Sequence, residues 1–231
     1  MKKRALISAV AGIALAGVLA VGFAACGGVN AKSVKGEEVN EETWTKALTI
    51  TEYDNFKVAA SDEYEMKYGD ATVKISANYT ITVVGDNQYV KGKTKTTVKG
   101  DVPKEMGEYK SETVSVEYYI NKDGERIAKK DGNWAKITDA TELMKYGVNK
   151  NYIVNYVDSA FFTSYEFKAD QKGYVLKDDE KDCLHIVKIK DGKFAAAYVE
   201  EKEDNGILGS YSRIGNVVVT HGGQKLTLPT V

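Results

Sequence analysis

Residues 73–83 alternate without a break. Val73, Ile75, Ala77, Tyr79, Ile81 and Val83 are apolar or aromatic, and Lys74, Ser76, Asn78, Thr80 and Thr82 lie between them. Successive side chains of a strand point to opposite faces, so this is the pattern of a strand with one face buried and one wet. At about 3.3 Å per residue it spans roughly 35 Å, which is long for a strand. Phe56–Tyr68 reads as a strand before it. Gln88–Val98, rich in Lys and Thr, reads as one after it.

Val114, Val116, Tyr118 and Ile120 alternate in the same way. Asn121-Lys122-Asp123-Gly124 and Asp131-Gly132-Asn133 then set two turns, with Arg126–Lys130 between them and Trp134–Ile137 after them. Asp-Gly supplies the positive φ values that tight hairpins need, so these strands form an antiparallel meander. Strands resume at Tyr165–Phe167, Gly173–Leu176, Leu184–Lys190 and Phe194–Val199, with a turn at Asp191-Gly192. After a turn at Asp204-Asn205-Gly206, strands are expected at Ile207–Ile214, Asn216–Thr220 and Lys225–Leu228, where Pro229 stops the last pairing.

Two stretches change period. Asn40 is a capping residue followed by Glu41 and Glu42, acids that suit the positive end of a helix dipole, and Trp44, Ala47 and Leu48 fall on one face. A short helix is expected over about 40–50. Between the two strand blocks, Asp139 and Glu142 have capping-box spacing, Leu143, Met144 and Tyr146 follow, and Gly147 is a stop. Ile153, Tyr156, Val157, Ala160 and Phe161 then recur at helical spacing, with Tyr152 and Phe162 beside them. The order is a helix, about six strands, a helical insert and about five strands. Without βαβ alternation the sheet is antiparallel, and the class is α+β in a single domain over 40–231.

The N-terminus adds an address. Lys2, Lys3 and Arg4 precede an uncharged run to Ala25 rich in Ala, Val, Leu and Gly. A charged start, an apolar run and small residues before a cut form a secretory signal. Its length is also that of a membrane span, but it is only weakly hydrophobic and ends in small residues rather than a basic flank. Phe23-Ala24-Ala25-Cys26 resembles the bacterial lipobox, with Phe23 where Leu is usual. The resemblance implies cleavage before Cys26 and diacylglycerol and palmitate chains on it. The expected division is therefore a signal peptide over 1–25, a lipidated cysteine with a flexible tether over 26–39, and the folded domain. Simple cleavage after Ala24 is the competing reading. Two acyl chains anchor a protein stably where one does not. The expected location is the cell membrane, on the extracytoplasmic face, in an envelope with one membrane or two.

The chain holds 32 Lys and Arg against 33 Asp and Glu, and three of the cations belong to the leader, so the mature domain is acidic, near −4. That balance argues against nucleic-acid binding and gives little reason to expect tight adhesion to anionic lipid. The expected membrane contact is the anchor.

The element order over about 40–229 resembles the LolA/LppX-like lipoprotein-carrier fold. That fold is a strongly curved, open or half-barrel antiparallel sheet with an N-terminal helix and helices inserted mid-chain over its concave face. The resemblance rests on order and carries no motif. It implies a lipid-sized apolar cavity under the insert, lined here by Trp44, Tyr152, Tyr156, Phe161 and Phe162, and a protein that binds or carries a lipid or other amphiphile. The alternative is that these aromatics fill a closed core and the chain is a structural or interaction lipoprotein binding another envelope protein.

Little else points to chemistry. Cys183 and His185 share a strand face and His221 lies far along the chain, which is short of a zinc ligand set. Cys183 has no cysteine but Cys26 to pair with and reads as a small buried apolar residue. The acidic runs 178–182 and 200–204 lack calcium-loop spacing. No nucleophile motif or phosphate-binding glycine loop occurs. The chain is therefore expected to be no enzyme and to use no cofactor or metal. Fifteen Tyr against six Phe is a high ratio, suited to surfaces or cores that need a polar tip.

Overall fold

The computed structural model describes residues 29–231 apart from 105–106, 158–161, 178–181, 205 and 207–208. The leader, Cys26, Phe161 and most of the first acidic run lie outside the described residues.

Six strands precede the insert: β1 (Asn55–Tyr68), β2 (Ala71–Val84), β3 (Asn87–Lys99), β4 (Glu112–Ile120), β5 (Arg126–Lys130) and β6 (Asn133–Ile137). Five follow it: β7 (Tyr165–Lys168), β8 (Gly173–Leu176), β9 (Cys183–Lys190), β10 (Lys193–Asp204) and β11 (Ser210–His221). They form one open antiparallel sheet in the order β6-β5-β4-β3-β2-β1-β11-β10-β9-β8-β7. The two meanders are joined along β1 and β11, in register from Phe56 opposite His221 to Lys67 opposite Ser210. Burial alternates along β2 as its sequence requires. At the hairpins, Asp131 and Gly132, and Asp191 and Gly192, all hold positive φ, as a tight twisted turn needs.

Three expectations shift. Residues 210–221 form one strand where two were expected, because Gly215 sits within it against Asp62 and needs no turn. Lys225–Leu228 forms no strand. The insert is less regular than its spacing suggests. It has one helical turn, α2 (Ala140–Leu143), followed by 3-10 segments at Met144–Tyr146, Lys150–Tyr156 and Phe162–Ser164. Asn, Tyr and Val are weak helix formers, and a run this short takes its shape from what it packs on. The N-terminal helix, α1 (Glu41–Leu48), is as expected, with the Asn40 side chain accepting from Thr43 N–H at 2.9 Å.

One sheet face carries the main core. Phe56, Val58 and Ala60 of β1 meet Ile81 and Val83 of β2 and Val217 of β11, and α1 adds Trp44, Ala47 and Leu48. Ile153 and Tyr156 of the insert join the same core. Topology explains why. The insert links β6 to β7, the two edges of the sheet, which lie ten strand spacings apart, about 48 Å measured along the sheet. The chain must cross a face to connect them, and Lys150–Tyr156 touches β2, β10 and β11 on the way.

The opposite face is covered over β9–β11 by the N-terminal segment, where a tether was expected. Ala31 is fully buried and packs with Ile186, Ala196 and Tyr198. Its N–H donates to Asn216 Oδ1 at 3.3 Å. The buried Lys188 ammonium donates to the carbonyls of Lys32 and Val34 at 2.6 and 2.7 Å. Gly36 N–H and Glu37 N–H donate to the carbonyls of Lys172 and Ile189. Two small apolar side chains and a run of backbone bonds hold a segment whose composition alone looks unstructured.

Candidate functional site

Beneath the insert the apolar core gives way to a buried polar network. Asp62 points inward from β1 and is 1% exposed. Its carboxylate accepts from Tyr152 Oη at 2.5 Å, from Tyr156 Oη, and from Arg213 Nε at 3.0 Å. Arg213, on β11, is 8% exposed. Its Nη1 donates to the Asn155 carbonyl at 3.2 Å and lies 3.7 Å from Glu201 Oε2 on β10. Glu201 Oε1 meets His185 Nε2 of β9 at 2.9 Å. Four strands and the insert are thus tied through one chain of polar contacts. The guanidinium also lies over the rings of Tyr156, at 4.9 Å, and Tyr64, at 5.5 Å.

The electrostatics follow from this placement. Burial raises the hydroxyls of Tyr152 and Tyr156 well above their ordinary range, and the Asp62 charge raises them further. Both stay protonated and act as donors. Burial works against the charge of Arg213, but Asp62 together with Tyr64, Tyr156 and Glu201 outweighs it, so the guanidinium is held more firmly charged than usual. Burial works against ionised Glu201 too, yet His185 and Arg213 bring its carboxyl below the usual range. The site pairs nearly all of its buried polar atoms. Its one unpartnered buried nitrogen is Arg213 Nη2.

Gly215, opposite Asp62, makes room for this arrangement: a Cβ there would stand 2.7 Å from Asp62 Oδ1 and 2.8 Å from Tyr156 Cε1. Gly92 plays the same part for Tyr79, whose ring lies across it and contacts Tyr152 at 5.2 Å between centroids.

The aromatics expected to line a cavity fall into two groups. Trp44 is fully buried, and its ring meets Phe162 at 5.6 Å, Tyr165 at 5.0 Å and Tyr174 at 5.0 Å. Tyr152 and Tyr156 lie 6.0 Å apart and bond Asp62. All four belong to, or pack against, one continuous core cluster. Other tyrosines show what the polar tips do. Tyr118 Oη donates to the Val148 carbonyl, Tyr53 Oη to the Ala47 carbonyl at 2.6 Å, and Tyr174 Oη to the Val39 carbonyl at 2.5 Å. These rings fill core volume while their hydroxyls satisfy backbone groups of the irregular segments that cross it.

Cys183 is half-buried, opposite Glu201. His221 contacts the Phe194 carbonyl through Nε2 at 2.8 Å. Among the described residues no group of His, Cys, Asp and Glu is arranged to hold a metal, and no helix is long and apolar enough to cross a membrane.

The sequence does not single out Asp62 or Arg213, and Glu201 enters it only within the acidic run 200–204, which reads as a solvated turn but is strand β10 with Glu201 turned inward. A signal existed. Asp62 and Arg213 occupy inward positions of strands whose other inward residues are largely apolar, and only a buried partner makes such placement tolerable. No protein-family model matches the chain, and no curated protein does.

Proposed function

We propose that the chain is a lipid-anchored, extracytoplasmic envelope lipoprotein without catalytic activity, acting as an interaction module built on a closed core. The observation that carries this reading is the packing beneath the insert. A lipid carrier needs space where Trp44, Ile153 and Tyr156 are fully or almost fully buried in one core cluster. The anchor reading rests on the resemblance of Phe23-Ala24-Ala25-Cys26 to a lipobox. The element order supports the likeness to LolA/LppX-like domains, with the insert as the cover of the packed face. The insert also carries Met144 and Val154, 52% and 57% exposed, as apolar contacts for a partner.

A photo-crosslinker at Val154 in the cell envelope is expected to capture a discrete partner that one at the opposite-face residue Asn78 does not. Equal or absent capture at both positions would count against the reading. Cys26→Ala is expected to release a folded domain from the membrane fraction. Its retention there would mean that the apolar leader stays as a helix.

A second reading is favoured by the polar network. Asp62 fastens Tyr152 and Tyr156 of an irregular insert through polar contacts, so entry of a lipid or other amphiphile would require those contacts to be released and the insert to lift. Native mass spectrometry of the full lipidated protein separates the two. Co-purifying lipid beyond the anchor supports the carrier, and a clean mass supports the closed module.

A further inference from the structure

The net charge of the domain conceals an uneven distribution. Alternation sends Lys91, Lys93 and Lys95 of β3 to the face opposite the core, one every ~6.6 Å. Lys91 meets Glu117 at 3.3 Å. Lys93 lies between Asn78 and Ser115, and Lys95 between Ser76 and Thr113, so their register neighbours carry no charge. A shallow depression of about 370 Å³ adjoins them, lined by Lys74, Lys95, Ser76 and Thr97 together with Glu63 and Glu65.

Beside the lysines runs a row of half-buried rings on the same face. Tyr89 and Tyr119 are 4.8 Å apart, and Tyr119 and Trp134 are 5.1 Å apart, with the Lys129 ammonium 5.6 Å from the Trp134 ring. Tyr, Trp and Lys together are what proteins place at a membrane–water interface, where a ring or stem sits among headgroups and its polar end stays wet.

The N-terminal segment docks on this face as well, through Ala31 and Val34. Ala31 stands five positions after Cys26, so at most about 18 Å of chain separates an anchor at Cys26 from the sheet. A tether that short keeps this face, and not the insert, near the bilayer.

We propose that this sheet face, through Lys93, Lys95, Tyr89, Tyr119 and Trp134, lies against the anionic headgroup surface of the membrane that holds the anchor. The proposal rests on the anchor reading and extends it from attachment to orientation. It leaves the insert facing away from the bilayer.

The chain has two tryptophans, Trp134 on this face and Trp44 in the core, which makes the test direct. The full lipidated protein is reconstituted in vesicles of phosphatidylcholine, with or without phosphatidylglycerol, carrying a headgroup nitroxide lipid. Trp134 emission is expected to be quenched in the anionic vesicles, and Trp134→Phe is expected to abolish the quenched component. Lys93→Gln and Lys95→Gln, at outward side chains, are each expected to lower the ratio of face-down to free molecules about fivefold. Protein that floats with the vesicles, but whose quenching is unchanged by Trp134→Phe or by both lysine changes, overturns the orientation and leaves the anchor standing. Protein that does not float removes the anchor and the proposal with it.

Discussion

Asp62 shows how much one residue can hold. Its neighbours on the same face are Ala60 and Ala77, and no water reaches it, so its charge is tolerable only because Arg213, Tyr152 and Tyr156 meet it. Removing one member of a buried pair leaves the other charged and unpaired. Asp62→Ala is therefore expected to cost about 3–5 kcal/mol in urea denaturation, and adding Arg213→Leu recovers only part of the loss, because the Tyr152 and Tyr156 hydroxyls and Glu201 still lack those partners. His221 supplies the pH dependence. Burial lowers its pKa from 6.5, only partly offset by the Phe194 carbonyl. The unfolded chain then binds more protons than the folded one just below 6.5, so stability is full above that value and falls as the pH drops through it. His221→Gln is expected to flatten the urea midpoint between about pH 7 and pH 5. Glu201 adds a second loss at lower pH, below the usual carboxylate range, because its folded pKa is depressed.

At the scale of elements, the irregular segments depend on side chains from the sheet. Residues 31–37 have little propensity of their own, and Lys188 ties down two of their carbonyls from a fully buried position. Burial holds its ammonium well below the ordinary lysine range, at about 8. Lys188→Met keeps the volume but removes both bonds. Amide exchange at residues 31–37 is expected to speed by at least about tenfold, while β9 and β10 stay protected. The insert is fastened likewise by Tyr118 to Val148 and by Arg126 Nε to the Tyr146 carbonyl at 2.8 Å.

For the whole molecule, sheet order sets the gradient of stability. β1, β2 and β11 are long, central and paired on both sides, whereas β6 and β7 are short edges joined through the insert. Hydrogen exchange is expected to be slowest along β1, β2 and β11 and fastest at Asn133–Ile137 and Tyr165–Lys168. Uniform protection across the sheet would contradict this reading. The same order places the insert over the packed face and the N-terminal segment, with the lysine row, on the other.

Much of the fold is legible in the residues because it is local. Alternation at 73–83, Asp-Gly turns and the Asn40 cap depend on neighbours a few positions away, so they yield the strands, the hairpins and α1. The lipobox-like run before Cys26 is equally local. Tertiary structure alone brought Asp62 to Arg213 and Arg213 to Glu201. That pairing follows from the register of β1, β11 and β10, and no pattern within a single strand encodes it. It also turned 31–39 from an apparent tether into a docked segment, and an average charge near −4 into one face lined with lysine. Net composition sums over a surface, and only the fold decides which side each charge is on.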